Sequence, residues 1–253
     1  MTPLLSFANV GKRFPDGGRQ IAVLDGVSFE VQPGAFVGLY GGRRTGKSTL
    51  LRLAAGIEAP DTGTVRFQGR ALDEMTGAQR GRLLRGALAF MSCSDWRPNL
   101  GENVVDHVAM SLGSEGLTVR DARRRALGAL DQVGVSATSA SESADSLALS
   151  ERTLVMLARA LVREPRLLLI DEPAVMPNLG DRARFYGLLR ELASERTMGL
   201  LVVSEEIGAL QGADVLMSIS DGTLCSTEEQ GIVVPLPRRE TATLAATSER
   251  PAR

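Results

Sequence analysis

The chain has 253 residues, of which 43% are hydrophobic and 23% charged, with a formal net charge of -1. That length and apolar content can bury a full core as one large domain, or a core with a subdomain, and they exclude disordered and collagen-like classes. Near-neutral charge argues against an electrostatic surface for nucleic acid, so no nucleic-acid partner is expected. No stretch reaches the ~18 apolar residues that begin to suggest a membrane span. The best runs, RLLLI and GLLVV, are only strand-sized. No basic segment followed by an apolar one opens the chain, so no secretory leader is expected and a cytosolic address follows. Cys93 and Cys225 are too few for a disulfide framework or a metal site and read as buried or half-buried thiols. His107 is the only histidine, which excludes a histidine-based metal cluster within the chain. It reads as a helix-surface residue.

In chain order, the apolar runs LLSFANV, IAVL and VSFEV are separated by the turn signals PDGG and DG and predict antiparallel strands. AFVGLY is a compact strand that runs into a glycine-rich loop, and KSTLLRLAAG after it has helical spacing. TGTVRFQG, residues 62–69, reads as a further hairpin. From about Gly101 to Ser150 the chain turns alanine-rich and charged. There VRDARRRALGALDQVG predicts an amphipathic helix of about four turns, so this region is a helical insert. RTLVMLARALV is helical, RLLLIDEP a buried strand, RARFYGLLRELAS a helix, and GLLVVS and VLMSIS strands of the buried parallel type. Strands that return after crossovers describe an α/β core. The terminal run VPLPRRETATLAATSERPAR lacks periodicity and reads as a disordered tail.

Chemistry concentrates in the stretch GGRRTGKST, residues 41–49. Its frame, G-x-x-x-x-G-K-S, is that of a phosphate-binding loop, with the strand Phe36 to Tyr40 before it and a helix after it. Backbone N–H groups of Gly41, Gly42, Arg43, Arg44, Thr45 and Gly46 and the positive end of the helix would converge on phosphate. Lys47 would reach the terminal phosphates, Ser48 would ligate Mg²⁺, and Thr49 closes the motif. The second half of the site is LLLIDEP, where a buried strand delivers Asp171 to the metal and Glu172 to an attacking water as the catalytic base. ATP and Mg²⁺ are therefore the expected ligands.

The long separation of Lys47 from Asp171 sets the chain apart from small switch GTPases. Together VGKRFPDGGRQIAVLDGVSFEVQPG, GKSTLLRLAAGIEAPDTGTVRFQGR and ARALVREPRLLLIDEP resemble the ATP-binding cassette (ABC) transporter family over roughly residues 4–225, in particular the lipoprotein-release and macrolide-export type. The resemblance implies a P-loop NTPase (RecA-like) α/β core with an N-terminal antiparallel β subdomain and an α-helical subdomain at about 93–157. The nucleotide-binding domain would span 1–235 and the tail 236–253. It also puts Phe14 where the family stacks an aromatic ring on adenine, the other reading of Phe14 being a structural strand residue.

Four features depart from the family. Aligned on residues 158–162, the signature LSGGQ falls on residues 147–151, LALSE, so Leu149 and Ser150 replace both glycines. A Cβ and a branched side chain then fill space through which backbone N–H groups would approach the γ-phosphate. The switch histidine expected after GLLVVS is replaced by Glu205 and Glu206. No glutamine occurs between Gln79 and Gln132 to sense the metal, and the LD after the acidic pair has become MPNLGD. Glu205 beside a γ-phosphate would be repelled by on the order of 4 kcal/mol for unit charges ~4 Å apart at an effective dielectric near 20. Arg43 or Arg44 could offset this by pairing with it, or both could simply face solvent.

The resemblance thus implies an ATPase subunit whose hydrolysis is weak and partner-dependent, peripheral on the inner face of the cell membrane through a separate permease. The permease would attach near SCSDWRPNLGENV, with Trp96 either its contact or a core residue. Since a homodimer would hold two defective sites, a heterodimer with a second, different ABC ATP-binding subunit is favoured. The alternative is a non-hydrolysing, ATP-gated regulatory module.

Overall fold

The computed structural model describes residues 2–92, 95–173, 179–210 and 212–226. Cys93, residues 176–178 of MPNLGD and the tail 236–253 lie outside them.

The chain opens with a hairpin of β1 (Leu5–Asp16) and β2 (Arg19–Val31). Asp16 pairs with Arg19 across Gly17 and Gly18, both at positive φ. Two successive positive φ values are what a type I′ turn needs, and PDGG supplies them. The DG signal, by contrast, makes no turn. Gly26, at φ 65, lies inside β2, where the register shifts between Val10↔Val27 and Lys12↔Leu24. IAVL and VSFEV are therefore one bulged strand, because an αL glycine can absorb an extra residue without ending the ladder. β4 (Thr62–Phe67) and β5 (Arg70–Ala71) complete a four-stranded sheet in the order β2-β1-β4-β5.

β3 (Phe36–Tyr40) begins the second sheet and α1 (Lys47–Ala54) follows it. Next comes α2 (Gly77–Gly86), a helix without a buried residue and with Gly81 in its middle, so its apolar periodicity is nearly silent. Its readable signal was the capping box. The Gln79 N–H donates to Thr76 Oγ at 3.3 Å and the Thr76 N–H donates to Gln79 Oε1 at 2.8 Å. β6 (Leu88–Ser92) precedes the helical insert, formed by α3 (Val104–Ala109), α4 (Val119–Gln132), α5 (Ala137–Ala140) and α6 (Leu149–Leu161). α4 buries Ala126, Ala129 and Leu130, the i, i+3, i+4 stripe expected of it. β7 (Leu167–Asp171), α7 (Leu179–Arg196), β8 (Gly199–Ser204), β9 (Val215–Ser220) and β10 (Thr223–Ser226) finish the described chain.

The six-stranded sheet has the order β10-β9-β3-β8-β7-β6, with β9, β3, β8, β7 and β6 parallel. Successive side chains enter opposite faces. Leu168, Ile170, Leu200 and Val202 join the core shared with the helical insert, while Leu167, Leu169, Leu201 and Val203 join the core shared with α1 and the antiparallel sheet. Burial on both faces is why these strands read as unbroken apolar runs.

His107 corrects one expectation. It is 3% exposed rather than on the helix surface, its Nδ1 lies 3.0 Å from the buried Glu102 carboxylate, and its ring tilts against Trp96 at 5.0 Å. Trp96 itself is half-buried against the helical core, with the Arg152 guanidinium 5.9 Å from its ring centre.

Candidate functional site

The sheet register brings the two acidic and glycine-rich signals to one edge. Tyr40 pairs with Ser204 and Asp171 with Val203, so the chain leaves β3, β8 and β7 side by side as Gly41, Glu205 and Glu172. β8 stands between β3 and β7, which is how Glu205 comes to the phosphate loop. The loop is tied to β8 by the Gly41 N–H donating to Ser204 O at 3.1 Å, which corrects the expectation that this N–H faces phosphate.

Two of its glycines are obligatory. A Cβ on Gly41 would lie 2.6 Å from Ile219 Cγ2, and one on Gly46, at φ 101, would lie 2.6 Å from Val23 O. Both distances are shorter than real contacts allow, so these glycines answer to packing as well as to phosphate. Arg44 sits at φ 62, a left-handed conformation usual for glycine.

Lys47 is 6% exposed and curls back over the loop, donating to Gly41 O and Gly42 O at 2.8 Å each. Its Nζ lies 3.4 Å from Glu172 Oε1 and 3.9 Å from Glu205 Oε1. Glu172, itself at φ 45, accepts the Glu205 N–H at 3.1 Å through its other oxygen. Arg43 Nε donates to Glu205 Oε2 at 3.3 Å. Of the two arginines it is therefore Arg43 that pairs with Glu205. Among the described residues Arg44 makes no ion pair. The Arg43 side chain is 87% exposed, so with the site open this pair contributes at most about 1 kcal/mol.

Asp171 is half-buried, its Oδ1 has no hydrogen-bond partner, and the Ser48 hydroxyl stands beside its carboxylate. Burial pushes its pKa above its ordinary value of 3.8, against the opposing Ser48 hydroxyl and the charges of Lys47 and Arg52. An orphaned carboxylate oxygen beside a hydroxyl is a pair of hard oxygen donors, which fits Mg²⁺. A charge raised in energy by burial also predicts a trade. Asp171→Asn should raise the melting temperature of the nucleotide-free chain. The same change should remove the added stabilisation by Mg-ATP over ATP with chelator. An unchanged or lower melting temperature would contradict the first half.

Phe14 lies half-buried near the end of β1, paired with Ile21. Asp61 fixes this end of the hairpin. It accepts from the Arg13 backbone N–H at 2.7 Å and from Lys12 Nζ at 3.0 Å, and that ammonium stands 5.5 Å from the centre of the Phe14 ring. The Arg13 N–H and Lys12 hold the Asp61 pKa below its ordinary value of 3.8. A depressed carboxylate stabilises the fold above the unfolded value and loses that contribution as pH falls through the folded one. Asp61→Asn should therefore lower the melting temperature at pH 7, and the gap to the parent should close under acid. Equal melting temperatures at pH 7 would contradict this.

At the candidate signature, Ala148 caps α6 and its N–H donates to Glu151 Oε2 at 2.8 Å. Leu147 is buried, but Leu149 is 49% exposed at the helix start. Sequence reading did not find a groove of about 650 Å³ between β6 and α6, whose lining includes Arg97, Met110, Arg159 and Arg163. Its residues are scattered over four segments, and only the fold gathers them. Trp96 is not among them.

The family model described as ABC transporter matches residues 24–175. The lipoprotein-releasing system ATP-binding protein LolD of Pseudomonas syringae pv. tomato is 31% identical over 222 residues, 87% of this chain and 96% of the relative. That of Pseudoalteromonas translucida is 29% identical over 230 residues, 90% and 98% of the two chains. Among solved structures, the dimeric bacterial ABC transporter cassette MJ0796 has a TM-score of 0.79 at 22% identity, covering 87% of this chain and 96% of that one. The same cassette in a post-hydrolysis state with ADP and Pi also has a TM-score of 0.79, at 21% identity and 88% and 98% coverage. Among the described residues no helix is long and apolar enough to cross a membrane. With the family model matched over more than half its length, this chain belongs to the ABC transporter family, as an ATP-binding subunit of its ATPase class.

Proposed function

We propose that this chain is the degenerate half of an asymmetric pair of cassettes, binding Mg-ATP at its own phosphate loop and powering or gating a separate permease. The carrying observation is the contrast between its two binding faces. On one, the buried Lys47 stands with the half-buried Ser48, Asp171 and Glu172 at a single sheet edge. On the other, Leu149 projects 49% exposed from the start of α6, where glycines would let backbone N–H groups reach a phosphate.

The loop from Gly41 to Thr49 then cradles the phosphates and Phe14 stacks on the base. Lys47 moves from the loop carbonyls to the terminal phosphates. Ser48 and Asp171 would hold Mg²⁺, which would neutralise phosphate charge. Glu172 orients the attacking water once Lys47 releases it. The cassette runs to about residue 235, with the helical subdomain at about 93–157. In the pair, this chain's Lys47 and Glu172 face the intact signature of the other cassette, and residues 147–151 face that cassette's phosphate loop.

The names of the relatives, ATP-binding proteins of lipoprotein-releasing systems, support membrane attachment through a permease on the cytoplasmic face. The contacts of Glu205 with Lys47 and Arg43 favour a second reading, a non-hydrolysing ATP-gated module. Affinity purification from membranes, followed by mass analysis of the intact complex, tests the pairing. The expected result is one permease assembly with one copy of this chain and one of a different cassette. Two copies of this chain, or none bound to a permease, would contradict it.

A further inference from the structure

The β1–β2 hairpin holds a fixed cation against the ring that the proposed site uses for the base. Lys12 and Phe14 lie two residues apart on β1 and so share one face of the strand. The Lys12 Nζ stands over the Phe14 ring, 5.5 Å from its centre. Its side chain is only 15% exposed, and the ammonium donates to Ala59 O at 2.9 Å and to Asp61 Oδ1 at 3.0 Å. Asp61 is held in turn by the Arg13 N–H, which donates to its other oxygen at 2.7 Å. Ala59 and Asp61 belong to the segment between α1 and β4, so a second length of chain clamps the ammonium in place.

The same hairpin abuts the phosphate loop. A Cβ on Gly46 would meet Val23 O at 2.6 Å and Leu24 Cδ2 at 2.9 Å, and Leu24 pairs with Lys12 across the hairpin. Phe14 therefore stands about 7 Å further along β1 than the level of the loop. It is half-buried there, so part of the ring stays open to a base. Aromatic faces carry negative π density, and a cation draws that density toward itself. The face away from Lys12 is then poorer in electrons than an isolated phenyl ring, and a poorer ring stacks better on a richer base. Asp61 offsets part of the ammonium's charge, which holds the effect to the low end of cation–π strengths.

We propose that Lys12 is a positioning residue which, acting through Phe14, makes the site select electron-rich purine bases. The proposal rests on the reading of Phe14 as the stacking residue and adds what the base must be. The test is calorimetry of the full chain, with Mg²⁺, against the triphosphates of unsubstituted purine riboside, adenosine and 2,6-diaminopurine riboside. These bases share one ring system and gain electron density with each amino group. Parent affinity should rise in that order, over a total span of about tenfold. Lys12→Gln keeps an N–H donor for Ala59 and Asp61 but no charge, and should compress the span to about threefold or less. Lys12→Arg should keep most of it. Asp61→Asn should widen it, since the ammonium stays and the carboxylate that offsets it is gone.

A lysine that only braced the hairpin would give the opposite pattern. Its loss would weaken all three nucleotides by one factor, and Asp61→Asn would act in the same direction as Lys12→Gln. An unchanged span in Lys12→Gln, or a narrower one in Asp61→Asn, would overturn the proposal. So would parent affinities that agree within about twofold, a result that needs no variant to fold. Phe14→Ala separates the proposal from the reading beneath it. If Phe14→Ala binds ATP like the parent, the stacking reading falls and the proposal with it. If Phe14→Ala binds ATP several-fold more weakly while Lys12→Gln leaves the span intact, only the role of Lys12 is lost.

Discussion

Lys47→Ala is expected to weaken Mg-ATP binding by about 10 to 150-fold, the equivalent of ~1.5 to 3 kcal/mol for removing a charge-assisted hydrogen bond at a buried position. The nucleotide-free geometry explains why the cost falls on binding. The ammonium bridges Gly41 O and Gly42 O and stands near Glu172 and Glu205. It therefore waits at the centre of the site, desolvated and surrounded by acceptors that phosphate oxygens can replace. Calorimetry decides, and equal affinities for parent and variant would contradict the placement of phosphate in this loop.

The second large effect concerns Glu205. Its carboxylate lies within reach of Lys47 and is paired with Arg43, so in the proposed site an incoming γ-phosphate would meet a negative charge. Glu205→Gln should raise the affinity for a non-hydrolysed ATP analogue and change ADP binding much less, because ADP brings no phosphate to that position. Arg43→Ala should lower analogue affinity in the parent more than on the Glu205→Gln background. The expected coupling is ~0.5 to 3 kcal/mol. Arg44, which has no ion pair among the described residues, is the internal control and should be additive within ~0.3 to 0.5 kcal/mol. Additive behaviour of Arg43 too would mean that its exposed pair with Glu205 does nothing when nucleotide is bound.

Much of this was legible in the chain itself, for physical reasons that also mark where reading stopped. Strands such as Leu167–Asp171 and Gly199–Ser204 are buried on both faces, and sequence shows that directly as continuous apolar runs. The phosphate loop was legible because its glycines, lysine and hydroxyls are local in sequence. Long-range geometry was less so. That Glu205 would lie near the phosphate site followed from the family resemblance, but its contact with Lys47 did not, and the choice of Arg43 over Arg44 depends on the direction in which one αL residue turns the loop. The burial of His107 was hidden because its partner Glu102 lies outside the helix and Trp96 packs on it from the preceding loop. α2 was missed because a surface helix with no buried residue and an internal glycine, Gly81, gives little apolar periodicity to find.

The asymmetric-pair claim is tested most directly by hydrolysis at this chain's own site. The measurement is steady-state ATPase of the purified chain alone, and then mixed with a second cassette whose own Glu172 equivalent is disabled but whose signature is intact. The expected result is slow or unmeasurable turnover alone, because Leu149 and Ser150 cannot complete a composite site. The mixture should show a clear gain that Glu172→Gln in this chain removes. Robust turnover by the chain alone, abolished by Glu172→Gln, would contradict the pairing and make it an autonomous ATPase.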